Sequence, residues 1–312
     1  MKVPPYTITS KILTLSTLIA QELTKLELKS SHKPSLKLRK ENKIKTLAGT
    51  LAIEGNHIGA EKITAILEGK RVLGTPKELA EVQGAIKAYE NLSNFRFDSL
   101  EDLLMAHSIL MGDILNNAGK FRDVNVGVGS HIAPPPNLIE ELMKNLFVWL
   151  KESKEHWLLK SCIFHYEFEF IHPFVDGNGR LGRLWQSVIL NAYNPIFSFL
   201  PLEASISDFQ TQYYQAIEDS TALGESTPFI EFMLDLILKT LKNAQKSSQK
   251  SSQKSSQKIL SLIASNPHIT ILEIANTLNL SPSGVKKILK SLKDTQKLKR
   301  IGSHKGGVWE VR

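Results

Sequence analysis

Apolar residues three and four positions apart lay out a succession of amphipathic helices. Ile12, Leu13, Leu15, Leu18, Ile19, Leu23 and Leu26 predict one over 12–26. Ser30 to Lys40 is polar and basic, contains Pro34, and reads as a connection. Ile44, Leu47 and Leu51 form the stripe of a helix over 43–54, which Gly55-Asn56 ends as a left-handed cap would. The same period returns over 75–91 and 100–115, then over 137–151, 209–223 and 227–241. His156 to Ile171 is apolar and aromatic throughout, and a fresh helical period (Leu181, Leu184, Trp185, Val188, Ile189) follows it. One stretch has a different pattern. Val124, Val126 and Val128 alternate, Gly129 and Ser130 turn, and Ile132 precedes three prolines, Pro134 to Pro136. This predicts a short hairpin that the prolines keep from growing into a larger sheet.

The pattern breaks again at Lys246–Lys258, where Ser-Ser-Gln-Lys repeats without one apolar residue. Such a segment cannot build a core and reads as a flexible or fraying tether, although Gln and Lys propagate helix. Beyond it, Ile259, Leu260 and Ile263 start a helix, 271–278 and 285–292 give two more, and Ser281 or Ser283 caps the last. Two strands, 298–301 and 308–311, then flank a basic tip. This is the layout of a winged helix-turn-helix.

Charge separates the two parts. From Lys242 onward there are 14 Lys and Arg against 3 Asp and Glu, a net of +11. Residues 1–241 hold 25 against 28, a net of −3, so the overall +8 belongs to the tail. Lys286, Lys287 and Lys290 on the second helix, with Arg300, His304 and Lys305 on the wing, suit DNA phosphates. A protein-binding winged helix is the alternative. At 312 residues and 42% hydrophobic content the chain supports one sizeable core and a small second domain. Cys162 is the one cysteine, so no internal disulfide forms. Lys11, Glu22 and Lys25 interrupt the N-terminal stretch, and nothing reaches membrane-spanning length. A soluble, cytoplasmic protein without a membrane partner is expected.

The chemistry concentrates in Ile171 to Arg183, IHPFVDGNGRLGR, a tight loop feeding a helix N-terminus. The first N–H groups of a helix lack internal partners and sit at the positive end of its dipole, and glycines let them approach a phosphate. Arg180 and Arg183 lie on one side of the new helix and grip phosphate oxygens in fork geometry. Asp176 repels phosphate but suits a magnesium ion. His172 is the local group able to take a proton near neutral pH. Together these suggest phosphoryl or nucleotidyl transfer. Residues 177–182 are also a literal GxGxxG, and Glu203 lies at a suitable distance for a dinucleotide fold. That fold needs its glycines at the end of a strand, where here His-Pro-Phe-Val-Asp intervenes.

The stretch resembles the Fic-domain signature HPFx[D/E]GNGRxxR, with every position filled. The resemblance implies a mostly α Fic core with a small β-hairpin flap, here followed by the winged helix. It implies transfer of AMP from Mg2+-bound ATP to a Tyr, Thr or Ser hydroxyl of a target protein. In such an enzyme His172 is the general base and Asp176 holds the metal. Asn178 with the Gly177 and Gly179 backbone steadies the α-phosphate, and Arg180 and Arg183 bind the β/γ end. Phe174 is a core residue that fixes the loop. Tyr213 and Tyr214 resemble the part of the core near the adenine, or are packing residues. The flap edge would hold the target segment by strand addition. His107, on an apolar helix, reads as a packing histidine.

Thr50 to Asn56 is similar to the family's inhibitory motif [S/T]xxxE[G/N]. Glu54 sits where the helix dipole disfavours negative charge, so a cation elsewhere is expected to hold it. By the resemblance that cation is Arg183, and the pair blocks the ATP γ-phosphate. The division that follows is an N-terminal helical region 1–110 with the inhibitory helix at about 43–55, a catalytic core 111–241, a linker 242–258 and a winged helix 259–312. Two other functions stay open. One is removal of AMP with Glu54 positioning a water; the other is a DNA-binding regulator whose core only senses nucleotide. A homodimer is also left open.

Overall fold

The stretch that is apolar on every side folds as a helix with most of its residues buried, as expected of a helix with no polar face. The computed structural model describes residues 3–29, 36–128, 131–278, 280–302 and 307–312, with backbone alone at 128, 131, 132 and 247–253. The chain divides into two units, Met1–Lys242 and Asn243–Arg312.

The first unit is mostly helical. It opens with α1 (Ser10–Lys29), α2 (Leu36–Ile53), α3 (Gly59–Leu67), α4 (Pro76–Glu90) and α5 (Leu100–Met111). A hairpin, β1 (Gly127–Val128) with β2 (His131–Ile132), follows. Then come α6 (Pro136–Glu152), α7 (Trp157–Ile171), α8 (Asn178–Tyr193), a short 3-10 turn (Pro195–Phe199), α9 (Leu202–Asp208), α10 (Gln210–Leu223) and α11 (Thr227–Ser265), whose residues beyond Lys242 belong to the second unit. The α7–α8 pair forms the centre, with Cys162, Phe164, Phe168, Leu184 and Trp185 fully buried. Burial pushes the Cys162 thiol up to about 12, which makes it a packing group.

Several expectations need correction. Helix α2 begins at Leu36, so part of the expected connection is helical, and Lys37 and Glu41 support it as an i,i+4 pair. Ser30 to Ser35 lie outside the described residues. Helix α3 falls where the pattern predicts no element. The hairpin is shorter than the valine alternation suggests, because pairing is confined to Gly127↔Ile132 and Val128↔His131. Val124 lies outside the ladder, and its carbonyl accepts instead from Arg122. Gly129 and Ser130 at the tip lie outside the described residues.

The tether also differs. Backbone helix continues through Lys246–Lys258, within α11. No Gly or Pro interrupts 229–266, and the Gln and Lys positions outweigh the weaker serines.

In the second unit Ile259, Ile263, Ile274, Val285, Leu289 and Trp309 form a core of their own. Helix α12 (Ile271–Leu278) starts at a capping box in which Thr270 and Glu273 exchange hydrogen bonds. Helix α13 (Pro282–Asp294) is capped by Ser281, whose Oγ accepts from Gly284 N. Strands β3 (Leu298–Ile301) and β4 (Val308–Val311) pair antiparallel to make the wing. Lys286, Lys287 and Lys290 are exposed on α13, while Arg300 lies with its guanidinium 4.5 Å above the Trp309 ring. His304 and Lys305 lie outside the described residues. Among the described residues no helix is long and apolar enough to cross a membrane.

Candidate active site

The site begins where α7 ends. His172 closes that helix in the left-handed conformation, φ 49° and ψ 62°, which costs a non-glycine residue about 1 kcal/mol. Its N–H donates to the Phe168 carbonyl at 2.9 Å, and its own carbonyl accepts from Arg122 Nε at 2.8 Å. Phe174 then turns inward and is fully buried, stacked on His107 with ring centroids 3.7 Å apart. Asn178 clasps Phe174 from the other side. Its Oδ1 accepts from Phe174 N and its Nδ2 donates to Phe174 O, both at 2.9 Å. The Asn178 side chain thus holds the loop with Oδ1 and one of its two Nδ2 hydrogens. Gly177 (φ 86°) caps α8, whose first N–H groups face the loop.

His172 is half-buried with Nδ1 3.4 Å from the Glu169 carbonyl. A carbonyl beside Nδ1 favours the proton there and leaves Nε2 as the acceptor. Burial lowers the His172 pKa below its ordinary value, with Glu169 partly opposing the shift. The ring is consequently neutral and able to take a proton at pH 7.

Arg180 and Arg183 are both buried, with different partners. Arg180 donates from Nη1 to Glu81 at 3.2 Å and from Nη2 to Asp176 at 3.1 Å. It is held by two carboxylates instead of lying open as half of a phosphate clamp. Arg183 donates from Nη2 to Glu54 Oε1 at 2.7 Å and to the Thr50 carbonyl at 3.3 Å, and from Nε to Thr50 Oγ1 at 3.4 Å. Burial opposes its charge, but the Glu54 carboxylate together with the Tyr213 and Tyr89 side chains raises the Arg183 pKa. A Cβ on Gly179 would lie 2.7 Å from Glu54 Oε1, so the glycine leaves the space the Glu54 carboxylate fills.

Asp176 accepts from Gly177 N and Arg180 through Oδ1, and its side chain is 43% exposed. No group of three metal-binding side chains exists among the described residues. One half-exposed carboxylate beside a helix N-terminus nevertheless fits Mg2+, which is commonly held by one or two carboxylates together with substrate phosphates. Tyr213 is 1% exposed with its hydroxyl 3.0 Å from His165 Nε2, so it offers no surface to a nucleotide. Tyr214 is 43% exposed and remains available.

Four supporting residues escape sequence reasoning because their partners are remote in the chain. Glu81 holds Arg180 from α4. Arg122 bonds carbonyls on both sides of the site. Glu169 fills the space beside Gly182, where a Cβ would meet its Oε1 at 2.4 Å. His107 does more than pack. Gly119 N–H donates to its Nδ1 at 2.8 Å, which places the ring proton on Nε2, and Nε2 donates to the Asp176 carbonyl at 3.0 Å. Burial lowers its pKa from 6.5 to about 4. Between those two values the unfolded chain binds the proton and the folded chain does not, so stability falls as pH drops from about 6.5 to about 4. The slope from one such group approaches ~1.4 kcal/mol per pH unit. Urea midpoints at pH 7 and pH 5 should differ less in His107→Gln than in wild type.

The geometry agrees with the comparisons. Residues 97–190 match the Fic/DOC family model, and residues 253–298 match the winged helix-turn-helix DNA-binding model. The crystal structure of a Fic family protein from Desulfovibrio desulfuricans G20 superimposes with TM-score 0.77 at 34% identity, covering 100% of this chain and 98% of that one. Fic-1 from C. elegans aligns with TM-score 0.64 at 24% identity over 77% of this chain and 72% of that one, a likeness of fold. The protein adenylyltransferase Fic of Drosophila mojavensis is 29% identical over 216 residues, covering 65% of this chain and 41% of the relative. The chain thus spans about two fifths of that relative's length. A helical core with the complete HPFVDGNGR loop between α7 and α8 defines the class, and the chain belongs to the Fic family.

Proposed function

We propose that this protein is an adenylyltransferase that moves AMP from ATP to a Tyr, Thr or Ser hydroxyl of a target protein, and that Glu54 holds it inactive. The observation that carries the reading is the half-buried His172 at the end of α7, on the loop that leads into the α8 N-terminus, with Arg183 buried on α8. Relatives named protein adenylyltransferase agree with it.

In this reaction His172 Nε2 takes the proton from the acceptor hydroxyl as its oxygen attacks the α-phosphorus. The bond to the β-phosphate oxygen breaks and pyrophosphate leaves. The first N–H groups of α8 and the Gly179 backbone bind phosphate oxygens that gain charge in the transition state. Arg183 takes the γ end once Glu54 has moved. Arg180 orients Asp176, and Asp176 would hold Mg2+, which supplies charge neutralisation on the phosphates when bound. Tyr214 is the candidate on the adenine side.

The catalytic part is 111–241, controlled by the helical region 1–110 and followed by the linker 242–258 and the winged helix 259–312. A cytoplasmic location belongs to the same proposal. Incubation with isotope-labelled ATP, followed by mass spectrometry of the protein and of a cell lysate, tests the reading. Covalent AMP on a hydroxyl side chain is the expected product; nucleotide binding without any transfer would leave only a sensor.

For the winged helix we propose DNA as the partner, because the exposed lysines of α13 give the second unit its positive face. Lys286→Glu with Lys290→Glu in the full chain should weaken duplex binding. The slope of log K against log salt should fall by about 2, one for each lysine that no longer neutralises a phosphate. Binding with an unchanged slope in filter or anisotropy titrations would assign the face to a protein partner.

A further inference from the structure

Arg122 is 2% exposed, and its guanidinium is satisfied by carbonyl oxygens, with no carboxylate paired to it among the described residues. Nη1 donates to Val124 O and Nη2 to Pro134 O, both at 2.6 Å. These carbonyls flank the β1–β2 flap on its entering and leaving sides. Nε donates to His172 O at 2.8 Å, and Nη2 also reaches Ile171 O at 3.5 Å. The backbone adds a fifth tie, Arg122 N to Pro173 O at 3.0 Å. One rigid, planar group therefore joins both feet of the flap to the end of α7 that carries His172. Carbonyls suffice as partners there because the C-terminal end of a helix carries partial negative charge.

We propose that Arg122 is a positioning residue that keeps the flap edge in register with His172. A hydroxyl on a segment paired to that edge then arrives within reach of Nε2. This rests on the transfer reaction proposed above. Register matters because a slip of one residue along a strand moves a side chain about 3.3 Å and turns it to the opposite face. Lysine retains the charge, but its single nitrogen cannot span carbonyls on both sides as the planar fork does.

The test compares Arg122→Lys and Arg122→Gln, both in the full chain carrying Glu54→Gly. The full-length His172→Ala protein is supplied as acceptor in trans. In Arg122→Lys, label transfer from ATP to that acceptor should fall about 10²-fold, as expected of a misplacement near 1 Å. Calorimetric affinity for Mg-ATP should stay within about twofold, since every phosphate ligand is still in place. Backbone amides over 122–128 and 131–133 and at His172 and Phe174 should exchange hydrogen faster, while those of 181–190 stay protected. Arg122→Gln, which also removes the charge, should lose more, and Arg122→Lys carries the test should the glutamine variant unfold. Undiminished transfer, a parallel loss of ATP affinity, or unchanged exchange at the flap would each overturn the proposal. If the Glu54→Gly parent transfers nothing while the exchange pattern appears as expected, the adenylyltransferase reading fails and the Arg122 tie stands.

Discussion

Glu54→Gly should raise auto-adenylylation well above wild type. In the resting site Arg183 Nη2 is committed to Glu54 Oε1 at 2.7 Å, and the Thr50 hydroxyl and carbonyl hold the rest of the guanidinium in place. In the proposed reaction a γ-phosphate would need the donors that Glu54 occupies, so the competent state would appear only when Glu54 swings away. A charge-assisted contact of this kind is worth about 2 kcal/mol, which holds the competent fraction down roughly 30-fold. Removing it should increase incorporation of labelled AMP by about that factor. The two effects on stability have opposite signs. Without nucleotide the variant should melt lower, because Arg183 is buried and loses its countercharge. With Mg-ATP it should gain more stabilisation than wild type, because the phosphate restores the missing anion. Arg183→Ala should not mimic Glu54→Gly, since it releases the carboxylate but also loses the γ-phosphate ligand. Equal labelling of wild type and Glu54→Gly at saturating Mg-ATP would reduce Glu54 to a structural partner of Arg183.

His172→Ala should abolish most transfer while leaving nucleotide affinity near wild type. Loss of a general base typically costs about 10²–10⁴-fold. The phosphate ligands proposed above are α8 backbone N–H groups and Arg183, and the Asn178–Phe174 clasp that shapes the loop does not involve the imidazole. Alanine does remove the Nδ1 contact to the Glu169 carbonyl, and it must still adopt the left-handed turn. His172→Asn, which tolerates that turn better, is therefore the companion variant. Because burial lowers the His172 pKa, the wild-type rate should hold through neutral pH and decline only below the ordinary histidine value. Retained activity in both variants would remove His172 from the mechanism.

Residues close together in sequence can be read well from the sequence alone. Thirteen consecutive positions, 171–183, carry the base, the carboxylate, the glycines and both arginines, and loop-to-helix geometry follows from their order. That Glu54 needs a cation can also be inferred, because a carboxylate at a helix C-terminus needs an explanation, while Arg183 as that cation comes from the family resemblance. The partners that reach the loop from elsewhere cannot. The sequence does not show that Glu81 reaches Arg180 from α4, or that Phe174 turns inward onto Asn178. His107 reads correctly as satisfied in the core, but its hold on Asp176 depends on how α5 docks against the loop. The linker is legible in composition and not in conformation. Absence of apolar residues excludes a core, yet says nothing against helix when Gly and Pro are absent as well.

The crowding of Glu169 against Gly182 bears on how this site can change over generations. A Cβ at 182 would stand 2.4 Å from Glu169 Oε1, so a larger residue there is penalised while the glutamate remains. Shortening residue 169 alone strips His165 of a neighbour 3.7 Å away and leaves a void beneath α8. Each single replacement is therefore a step downhill, whereas the paired exchange of a small residue for Glu169 and a larger one for Gly182 refills the same volume. The two positions are epistatic, and lineages should be found with one combination or the other and seldom with the intermediates between them.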